Sequence, residues 1–445
     1  MASQAEPTAR RASRASEMFR ALSHPDFRWF WAGALITNAG TWMQTVAQGW
    51  LVLQMTNSPF WLGVDAFMAT APGLLLTLVG GVFADLIDRK RLLMITRLGA
   101  GLSAFILAAL IVTDVVEVWM ILVLTFATGC CMALAGPSYQ ALTFDLVGRE
   151  DLANAVALNS SQFQLARVIG PFLAGVCISV FGMAGCFFVN GLTCVASVAT
   201  LTRMRSGGKE EALPVEVAAT ENATIAAASF EKGTAAPAHS LKDVRALWSD
   251  LTAGIHYVRQ RPRVRQLLLC SMMVSLFGSP YITMIPLFAR DMFGWDANGL
   301  ALMMGTAGAG ALCGAILLAW LGDFGRKGWF VLGSAFSASV CLIGFALATR
   351  PATSLLLLFG VGFSMVSFFA VSNTLLQYLV SDEMRGRVMS IWMLTFIGAM
   401  PFGNIISGHA AETLGAPTTL AAGGLVVAIF ITFIMIFAER LRAIN

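Results

Sequence analysis

Long apolar runs, separated by short polar segments, repeat along the whole chain. Each run has the length of about 20 residues that an α-helix needs to cross the hydrocarbon core of a bilayer. Several of the breaks fall at turn-forming residues, among them Pro59, Gly182, Pro351 and Pro417. The pattern therefore predicts twelve transmembrane helices, six on each side of a long polar stretch. The predicted spans are residues 27–53, 60–84, 92–113, 118–144, 153–181, 183–203, 266–290, 298–321, 328–349, 354–380, 387–411 and 417–438.

Composition supports an all-α integral membrane protein. Apolar residues make up 57% of the chain and charged residues 12%, and the mean hydropathy is +0.74. A soluble chain of this length would need far more charge to cover its surface, so the lipid bilayer is the expected partner. The eight cysteines show no metal-ligand spacing, and we expect no metal and no cofactor. Basic patches interleaved with aromatic residues are missing, which disfavours nucleic acid as a partner.

Positive charge predicts the orientation of the helices. Arg167 lies within a span and Arg290 and Arg350 fall on the outer side, whereas every other Lys and Arg is assigned to the inner side. Because loops rich in Lys and Arg remain in the cytoplasm, we expect both termini to be cytoplasmic. The predicted location is the bacterial inner (plasma) membrane.

The same pattern divides the chain into segments. Residues 204–265 contain acidic residues, Ala and Thr without an apolar run long enough to span, and are predicted to be a cytoplasmic linker. Leu241 to Val258 repeats apolar residues at helical spacing, which predicts an amphipathic helix (241–258) on the membrane surface. The full division is a basic cytoplasmic tail (1–26), a first six-helix bundle (27–203), the linker, a second six-helix bundle (266–438) and a cytoplasmic tail (439–445).

An internal repeat relates the two halves. Residues 81–90 follow span two and resemble 319–327 after span eight, and residues 170–175 of span five resemble 403–408 of span eleven. Parallel repeats of this kind are typical of transporters in which two pseudo-symmetric bundles move about a central site.

Several stretches resemble motifs of the major facilitator superfamily. Residues 81–91 are similar to its motif A, although Asp88 replaces the usual glycine, and residues 166–175 are similar to the motif C of its exporting branches. Residues 152–159, 254–259 and 385–390 resemble the branch of enterobactin exporters and macrolide efflux proteins. The resemblance implies the major facilitator fold, secondary transport without enzymatic activity, and a monomer.

Motif A implies a gate at the cytoplasmic side. By resemblance, the Asp85 carboxylate accepts hydrogen bonds from the start of span eleven and joins the two bundles. The alternative is that Asp85 caps its own turn. The predicted gate residues are Gly81, Asp85, Arg89 and Arg91, with Asp323 and Arg326 as their counterparts in the second half.

Polar residues inside spans are candidates for a solute cavity, because polar groups facing lipid have no partner. Hydrogen bonding between helices is the alternative explanation. The candidates are Asn38, Thr41, Trp42, Gln44, Thr45 and Gln48 in span one, Asn159 and Gln162 in span five, and Asn373 and Gln377 in span ten.

Two ionisable residues stand within spans. Asp65 is a candidate for reversible protonation or for a structural pair, and Arg167 for binding a substrate anion or bracing backbone carbonyls. Nearby, Gly170, Pro171 and Gly175 predict a helix bend with a close helix contact, which by resemblance hinders leakage and otherwise is a packing kink.

These observations predict proton-coupled export of a small organic solute, such as a drug, siderophore or metabolite, by alternating access. Proton-coupled import is the alternative. A membrane sensor or enzyme is disfavoured, because His24, His239, His256 and His409 are scattered without a catalytic cluster.

Overall fold

The computed structural model describes residues 19–204, 244–322, 324–438 and 442. The side chains of residues 75, 77–86 and 244–251 lie outside this description. Asp323 is therefore not described, and Gly81 and Asp85 are described only as positions on a helix. The predicted contacts of Asp85 and Asp323 remain predictions.

The first half of the chain opens with three helices. They are α1 (Pro25–Thr56), α2 (Pro59–Leu86) and α3 (Arg89–Val112). Pro25 stands in the first turn of α1, where a backbone N–H has no helical acceptor. The Asp88 carboxylate accepts a hydrogen bond of 2.8 Å from the backbone N–H of Arg91 and so caps α3. The residue that departs from motif A thus starts the next helix.

A continuous helical run, Val118–Arg203, forms the rest of the first half. Gly148 and Gly182 interrupt it with φ values of 67° and 70°. Glycine adopts this left-handed region without steric cost, so the chain reverses at a single residue in both places. The run divides into α4 (118–147), α5 (149–181) and α6 (183–203), which correspond to predicted spans four to six.

The second half contains seven helices in the described residues. They are α7 (Val244–Gln260), α8 (Pro262–Met292), α9 (Ala297–Leu321), α10 (Lys327–Leu347), α11 (Pro351–Leu379), α12 (Asp382–Leu414) and α13 (Ala416–Phe437). Two π-helical turns, Val274–Gly278 and Phe288–Met292, interrupt α8. The segment of α12 after Gly398 begins as a new helix at Ala399.

Helical segments therefore occupy all twelve predicted positions. By length and composition, eight helices of the described residues are apolar enough to cross a membrane, with Val118–Arg203 counted as one of the eight. The exact count of twelve spans stays a prediction. Large apolar side chains lie on the outside, for example Leu102, Val176 and Ile429 with exposed fractions of 60%, 64% and 62%. An apolar surface of this kind fits contact with lipid.

Small residues bring helices of one bundle close together. A Cβ on Gly310 or Gly362 would overlap the backbone of the facing helix, because Gly310 abuts Phe359 O and Gly362 abuts Ala307 O. A Cβ on Gly314 would lie 2.8 Å from Phe363 O. The crossing of α9 and α11 thus depends on glycine, as close crossings in membranes commonly do.

The linker helix α7 packs against the second bundle. A Cβ on Gly254 would lie 2.9 Å from Ile391 Cδ1 and 3.3 Å from Arg387 Cβ, both on α12. The sequence predicted this helix over 241–258, and its described part is Val244–Gln260. The predicted start near Leu241 lies outside the described residues.

Successive helices run in alternate directions, so the bundles have two ends. We call the end that carries Pro25, α7 and Phe437 the terminal end, and the opposite one, with the turns at Asn57, Gly182 and Gly415, the distal end. Between the bundles, α2 packs against α12 and α5 against α9. These two helix pairs form the interface on which the candidate site depends.

Candidate functional site

Asp65 lies inside the first bundle in a cluster of neutral hydrogen-bond donors. Its carboxylate accepts hydrogen bonds from Gln48 Nε2 at 2.8 and 2.9 Å and from Thr125 Oγ1 at 2.9 Å. The three residues come from α2, α1 and α4, and only 8% of the Asp65 surface is exposed. Among the described residues, no cation forms an ion pair with Asp65. We name Asp65, Gln48 and Thr125 the carboxylate cluster.

A chain of side-chain hydrogen bonds extends from the carboxylate cluster across the bundle. Gln44 Nε2 donates to Gln48 Oε1 at 3.3 Å, and Asn190 Nδ2 of α6 donates to Gln44 Oε1. Thr193 Oγ1 in turn donates to Asn190 Oδ1 at 3.1 Å. The chain therefore connects α2 with α6 through α1 without using a charged donor.

The polar face predicted for span one serves different contacts. Gln44 and Gln48 take part in the chain just described, which agrees with the hydrogen bonding between helices that was the alternative. Thr41 and Thr45 donate to the backbone carbonyls of Thr37 and Thr41, each at 2.9 Å. Asn38 is half-buried and Thr45 is exposed. A role for these residues in lining a cavity stays a prediction.

Arg167 bridges the two bundles near the middle of the helices. Its Nη2 donates to the Tyr281 hydroxyl of α8 at 3.0 Å, and its guanidinium lies 5.4 Å from the centre of the Trp42 ring on α1. Phe163 packs edge-on against Trp42 at 6.2 Å. Arg167 is half-buried, whereas Phe163 has 48% of its surface exposed. We name Arg167, Tyr281, Trp42 and Phe163 the midplane cluster.

The backbone of Arg167 also contacts the second bundle. A Cβ on Gly308 of α9 would lie 2.6 Å from Arg167 O. The two bundles therefore touch directly at this level, and the guanidinium projects beside that contact. No bond from Arg167 to a backbone carbonyl occurs among the described residues, so its observed acceptor is the Tyr281 hydroxyl.

At the distal end, a carboxylate of one bundle caps a helix of the other. Glu412 Oε2 on α12 accepts from Ser58 Oγ at 2.7 Å and from the backbone N–H of Phe60 at 3.1 Å. Phe60 belongs to the first turn of α2, whose N–H groups need acceptors. Glu412 thus acts as an N-terminal cap across the interface. We name Glu412, Ser58 and the Phe60 N–H the distal cap.

Glycines close the interface next to the distal cap. A Cβ on Gly63 of α2 would lie 2.6 Å from Asn404 O and 3.0 Å from Gly408 Cα. In the other helix pair, Ser179 Oγ of α5 contacts Asn298 Oδ1 of α9 at 3.1 Å. Together with Arg290, which donates to Leu53 O at 3.4 Å, these contacts hold the distal halves of the bundles together.

Residues of the predicted gate lie at the terminal end. Arg89 forms an ion pair with Asp145 at 2.8 Å, so its partner belongs to its own bundle. Arg91 and Arg326 are exposed, and Arg326 has a left-handed φ of 62° directly before α10. A gate at this end stays a prediction.

The motif C glycines serve two different contacts. A Cβ on Gly170 would overlap Trp42 Cβ and lie 2.7 Å from Ala39 O, which brings α5 against α1 within the first bundle. A Cβ on Gly175 would lie 3.0 Å from Asn298 Oδ1, so this glycine faces the second bundle. Pro171 lies buried inside α5. The predicted close contact is observed at Gly170.

The remaining cavity candidates are spread over both bundles. Asn159 accepts from Tyr139 at 3.1 Å and donates to Thr143 at 3.2 Å, and so joins α5 to α4. Gln162 Nε2 and both amide atoms of Asn373 are buried without a hydrogen-bond partner among the described residues. Gln377 is half-buried. The hydrogen bonds of Asn159 stay within the first bundle and do not reach the midplane cluster.

Sequence reasoning missed Thr125, Tyr281 and Glu412. Threonine is common in membrane helices, and nothing in its spacing marks Thr125 as a partner of Asp65. Tyr281 and Arg167 are 114 residues apart, so a single sequence does not reveal their pairing. Glu412 sits at a helix end, where a solvated carboxylate is the ordinary expectation.

Comparison with known proteins identifies the family. Residues 16–231 and 217–445 match the sequence profile of transmembrane secretion effectors. The chain belongs to this family of the major facilitator superfamily. It is therefore a multi-pass membrane transporter of small solutes and not an enzyme.

Relatives along the whole chain are efflux and siderophore transporters. The chain is 24% identical over 428 residues to the staphyloferrin A transporter of Staphylococcus aureus, covering 93% of this chain and 96% of the relative. It is 24% identical to the multidrug efflux pump Tap of Mycolicibacterium fortuitum, covering 93% and 95%. It is 23% identical to the enterobactin exporter EntS of Escherichia coli, covering 94% of both chains. The predicted resemblance to the efflux branch is confirmed.

Solved structures confirm the major facilitator fold. The nucleoside transporter NupG superposes with a TM-score of 0.68 at 11% identity, covering 93% of this chain and 99% of NupG. A bacterial homologue of the lysosomal transporter Spinster, in an inward-facing and unoccupied conformation, superposes with a TM-score of 0.65 at 13% identity, covering 94% and 96%. The overall fold is shared with these transporters.

Proposed function

We propose that the protein exports a small organic solute in exchange for protons by alternating access. The carboxylate cluster serves as the proton site and the midplane cluster as the solute site. The termini are cytoplasmic, the membrane is the bacterial inner membrane, and the working unit is a monomer. The observation that carries the proposal is the buried Asp65 carboxylate, which is bonded to neutral donors and to no cation among the described residues.

The environment of Asp65 suits a group that changes charge during a cycle. An ion pair would fix the carboxylate in its charged form. Here, burial and the three hydrogen bonds act in opposite senses on ionisation, so small rearrangements of the helices shift the balance between the two forms. Gln48 of the carboxylate cluster and Trp42 of the midplane cluster both lie on α1. A movement of this helix therefore affects both clusters at once.

The midplane cluster suits a solute with an anionic or hydrogen-bond-accepting group and an apolar or aromatic face. Arg167 supplies a cation whose observed acceptor is a neutral hydroxyl, and Trp42 and Phe163 supply ring surfaces. A solute carboxylate or phenolate would replace the Tyr281 hydroxyl as a stronger acceptor. The relatives named for siderophores and drugs support this class of solute.

The contacts between bundles support alternating access. The distal cap and the Gly63 contact hold the distal halves together, while Phe163 in the midplane cluster remains exposed. This arrangement corresponds to a state closed at the distal end and open towards the cytoplasm. In the opposite state the predicted Asp85 contact would close the terminal end of the same helix pair, α2 and α12.

Proton movement in proteoliposomes tests the proposal. The purified protein is reconstituted with the pH dye pyranine inside, and staphyloferrin A, enterobactin and a macrolide are added in turn. Wild-type protein should move protons when a transported compound is added. Asp65→Asn should keep solute exchange between equal concentrations and lose the proton movement. Asp114→Asn, in the exposed distal turn with a φ of 56° that asparagine tolerates, is the matched control.

Vesicle sidedness then separates export from import. In energised everted vesicles an exporter accumulates its solute, and in right-side-out vesicles it does not. Accumulation in right-side-out vesicles alone would establish the importer instead. Wild-type proton movement by Asp65→Asn would refute the role of the carboxylate cluster.

A further inference from the structure

Arg97 is a buried cation that the sequence analysis assigned to the cytoplasmic charges. The structure places Arg97 inside the bundle and not in a loop, because it lies within α3, about 12 Å along the helix from Arg89 at ~1.5 Å per residue, and only 8% of its surface is exposed. In a sequence, a basic residue near the start of a span cannot be told from a residue of the preceding loop. The burial of Arg97 was therefore not predicted. Unlike Arg167, this residue plays no part in the proposed transport site.

The guanidinium of Arg97 is incompletely satisfied. Its Nη1 is buried and has no hydrogen-bond partner among the described residues. The ionisable groups that interact with it electrostatically are Cys194 and Tyr139, and both side chains are ordinarily neutral near pH 7. A buried arginine of this kind is costly in a membrane protein unless something compensates its charge.

Carboxylates in the same bundle have other partners. Asp145 pairs with Arg89, and Asp151 pairs with Arg20 and His24 at 3.0 and 2.9 Å. Asp88 caps α3, and Asp65 belongs to the carboxylate cluster. In the part of the chain that the structure describes, no carboxylate forms an ion pair with Arg97.

A small cavity of about 10 Å³ lies beside the guanidinium. A space of this size admits one small particle and not a second one. Ser197, with 4% of its surface exposed, also lines the cavity. The cavity is lined by Phe30, Ala34, Leu93, Arg97, Tyr139, Ser197 and Leu201.

We propose that this cavity binds one small monovalent anion, chloride in the cell, between the Arg97 guanidinium and the Ser197 hydroxyl. Both groups are donors, and the occupant must therefore accept hydrogen bonds. A water molecule could accept them but would leave the positive charge uncompensated, whereas chloride satisfies the donors and the charge together. The Tyr139 hydroxyl donates to Asn159 at 3.1 Å, so its proton is directed away from the ion.

The ion has a structural function in the first bundle. Arg97 is on α3, Ser197 on α6, Phe30 on α1 and Tyr139 on α4, so the cavity lies where four helices meet. An anion bound there joins α3 to α6 and stabilises the packing that carries the carboxylate cluster. Ions that bind only the folded state raise the temperature of unfolding, and above the Kd this increase grows with the logarithm of the ion concentration.

Thermal unfolding of the purified full-length protein in detergent tests the site. Sodium chloride is titrated against sodium gluconate at constant ionic strength, and unfolding is followed by intrinsic fluorescence. We expect the Tm to rise with chloride, in proportion to the logarithm of the chloride concentration above the Kd. The affinity should fall from chloride to bromide to iodide, because the cavity has room for a small particle only. A Tm that does not depend on halide would refute the proposal and would indicate a water-filled cavity.

Variants identify the site. Arg97→Gln should abolish the dependence of the Tm on chloride, and Ser197→Ala should weaken chloride binding by about tenfold, since it removes one hydrogen bond to a charged group. Arg167→Gln removes the half-buried arginine of α5, which does not line this cavity, and should retain the wild-type chloride response. If Arg97→Gln fails to fold, the chloride affinities of wild type and Ser197→Ala are compared by equilibrium binding of radioactive chloride. Equal affinities of these two proteins, or a lost response in Arg167→Gln, would overturn the assignment.

Discussion

Gly63→Ala should open the distal end of the transporter. The added Cβ would lie 2.6 Å from Asn404 O and 3.0 Å from Gly408 Cα, both on α12 of the opposite bundle. Both contacts are to backbone atoms, which cannot rotate away as the end of a flexible side chain can. To restore an ordinary contact of 3.4 Å, α12 would have to recede by about 0.8 Å. A gap of that size forfeits a quarter to a half of the dispersion attraction of the atoms beside it.

The magnitude follows from the cost of overpacking. Inserting a methyl group into a tight helix contact costs about 1–3 kcal/mol. In the proposed alternating-access cycle only the distal-closed state contains this contact, so the substitution should lower the ratio of closed to open molecules by about 5- to 150-fold. Alanine also favours a helix over glycine by about 1 kcal/mol, but this effect is equal in both states.

Gly73→Ala provides the matched control on the same helix. Its Cβ would lie 3.8 Å from Ile397 Cγ2, an ordinary contact with the same partner helix. It brings the same change in helix propensity without the overlap, and we expect the wild-type ratio of closed to open molecules.

Electron spin resonance distances measure the ratio. Spin labels are attached at Val115→Cys and Thr413→Cys, which are exposed at the distal ends of the two bundles, with the exposed Cys313 replaced by serine. Wild type and Gly73→Ala should show mainly the short distance, and Gly63→Ala should show a new or larger population at a longer distance. Identical distance distributions for Gly63→Ala and Gly73→Ala would refute the closing role of this contact.

Two further substitutions test the neighbouring clusters. Glu412→Ala removes the distal cap, and because an N-terminal cap is worth about 1 kcal/mol the ratio of closed to open molecules should fall about fivefold in the same distance measurement. Glu117→Ala, whose partner Trp119 belongs to its own bundle, should not change it, and a parallel shift in both variants would contradict the cap. Tyr281→Phe removes the hydroxyl that competes for Arg167, so an anionic solute should bind several-fold more tightly by calorimetry. Weaker binding would show that the hydroxyl itself contacts the solute, and Tyr378→Phe, on an exposed tyrosine, is the control.

Apolar periodicity predicted the helices because each membrane-spanning segment obeys a local rule of length and hydropathy. The start of α3 shows the limit of that rule. The motif resemblance marked Asp88 as a departure, and its capping of α3 became visible only in the structure. Gly148 lies in the gap predicted between spans four and five, but only the backbone conformation shows that the gap closes to a single turn residue.

Pairings between distant residues could not be predicted in the same way. The sequence indicated that Asp65 lies within a helix, and the structure places it there, but its partner Thr125 is 60 residues away. The burial of Arg97 was not predicted because a basic residue near the start of a span looks like part of a cytoplasmic loop. Only the packing of four helices around it reveals its burial. A single sequence contains the donors and acceptors of such a site but not their arrangement.

The single-residue reversals at Gly148 and Gly182 have a mechanical consequence. Consecutive Cα atoms are separated by a fixed ~3.8 Å, so the abutting ends of α4, α5 and α6 cannot move apart. The three helices are thereby joined end to end without slack, so we expect a tilt of α5 to displace the adjoining ends of α4 and α6. The π-helical turns of α8 and the break in α12 give the second bundle places to bend. The two halves are thus alike in topology and differ in how their helices are joined, and in the proposed alternating-access cycle we expect the bending points of the second half to take up part of the deformation.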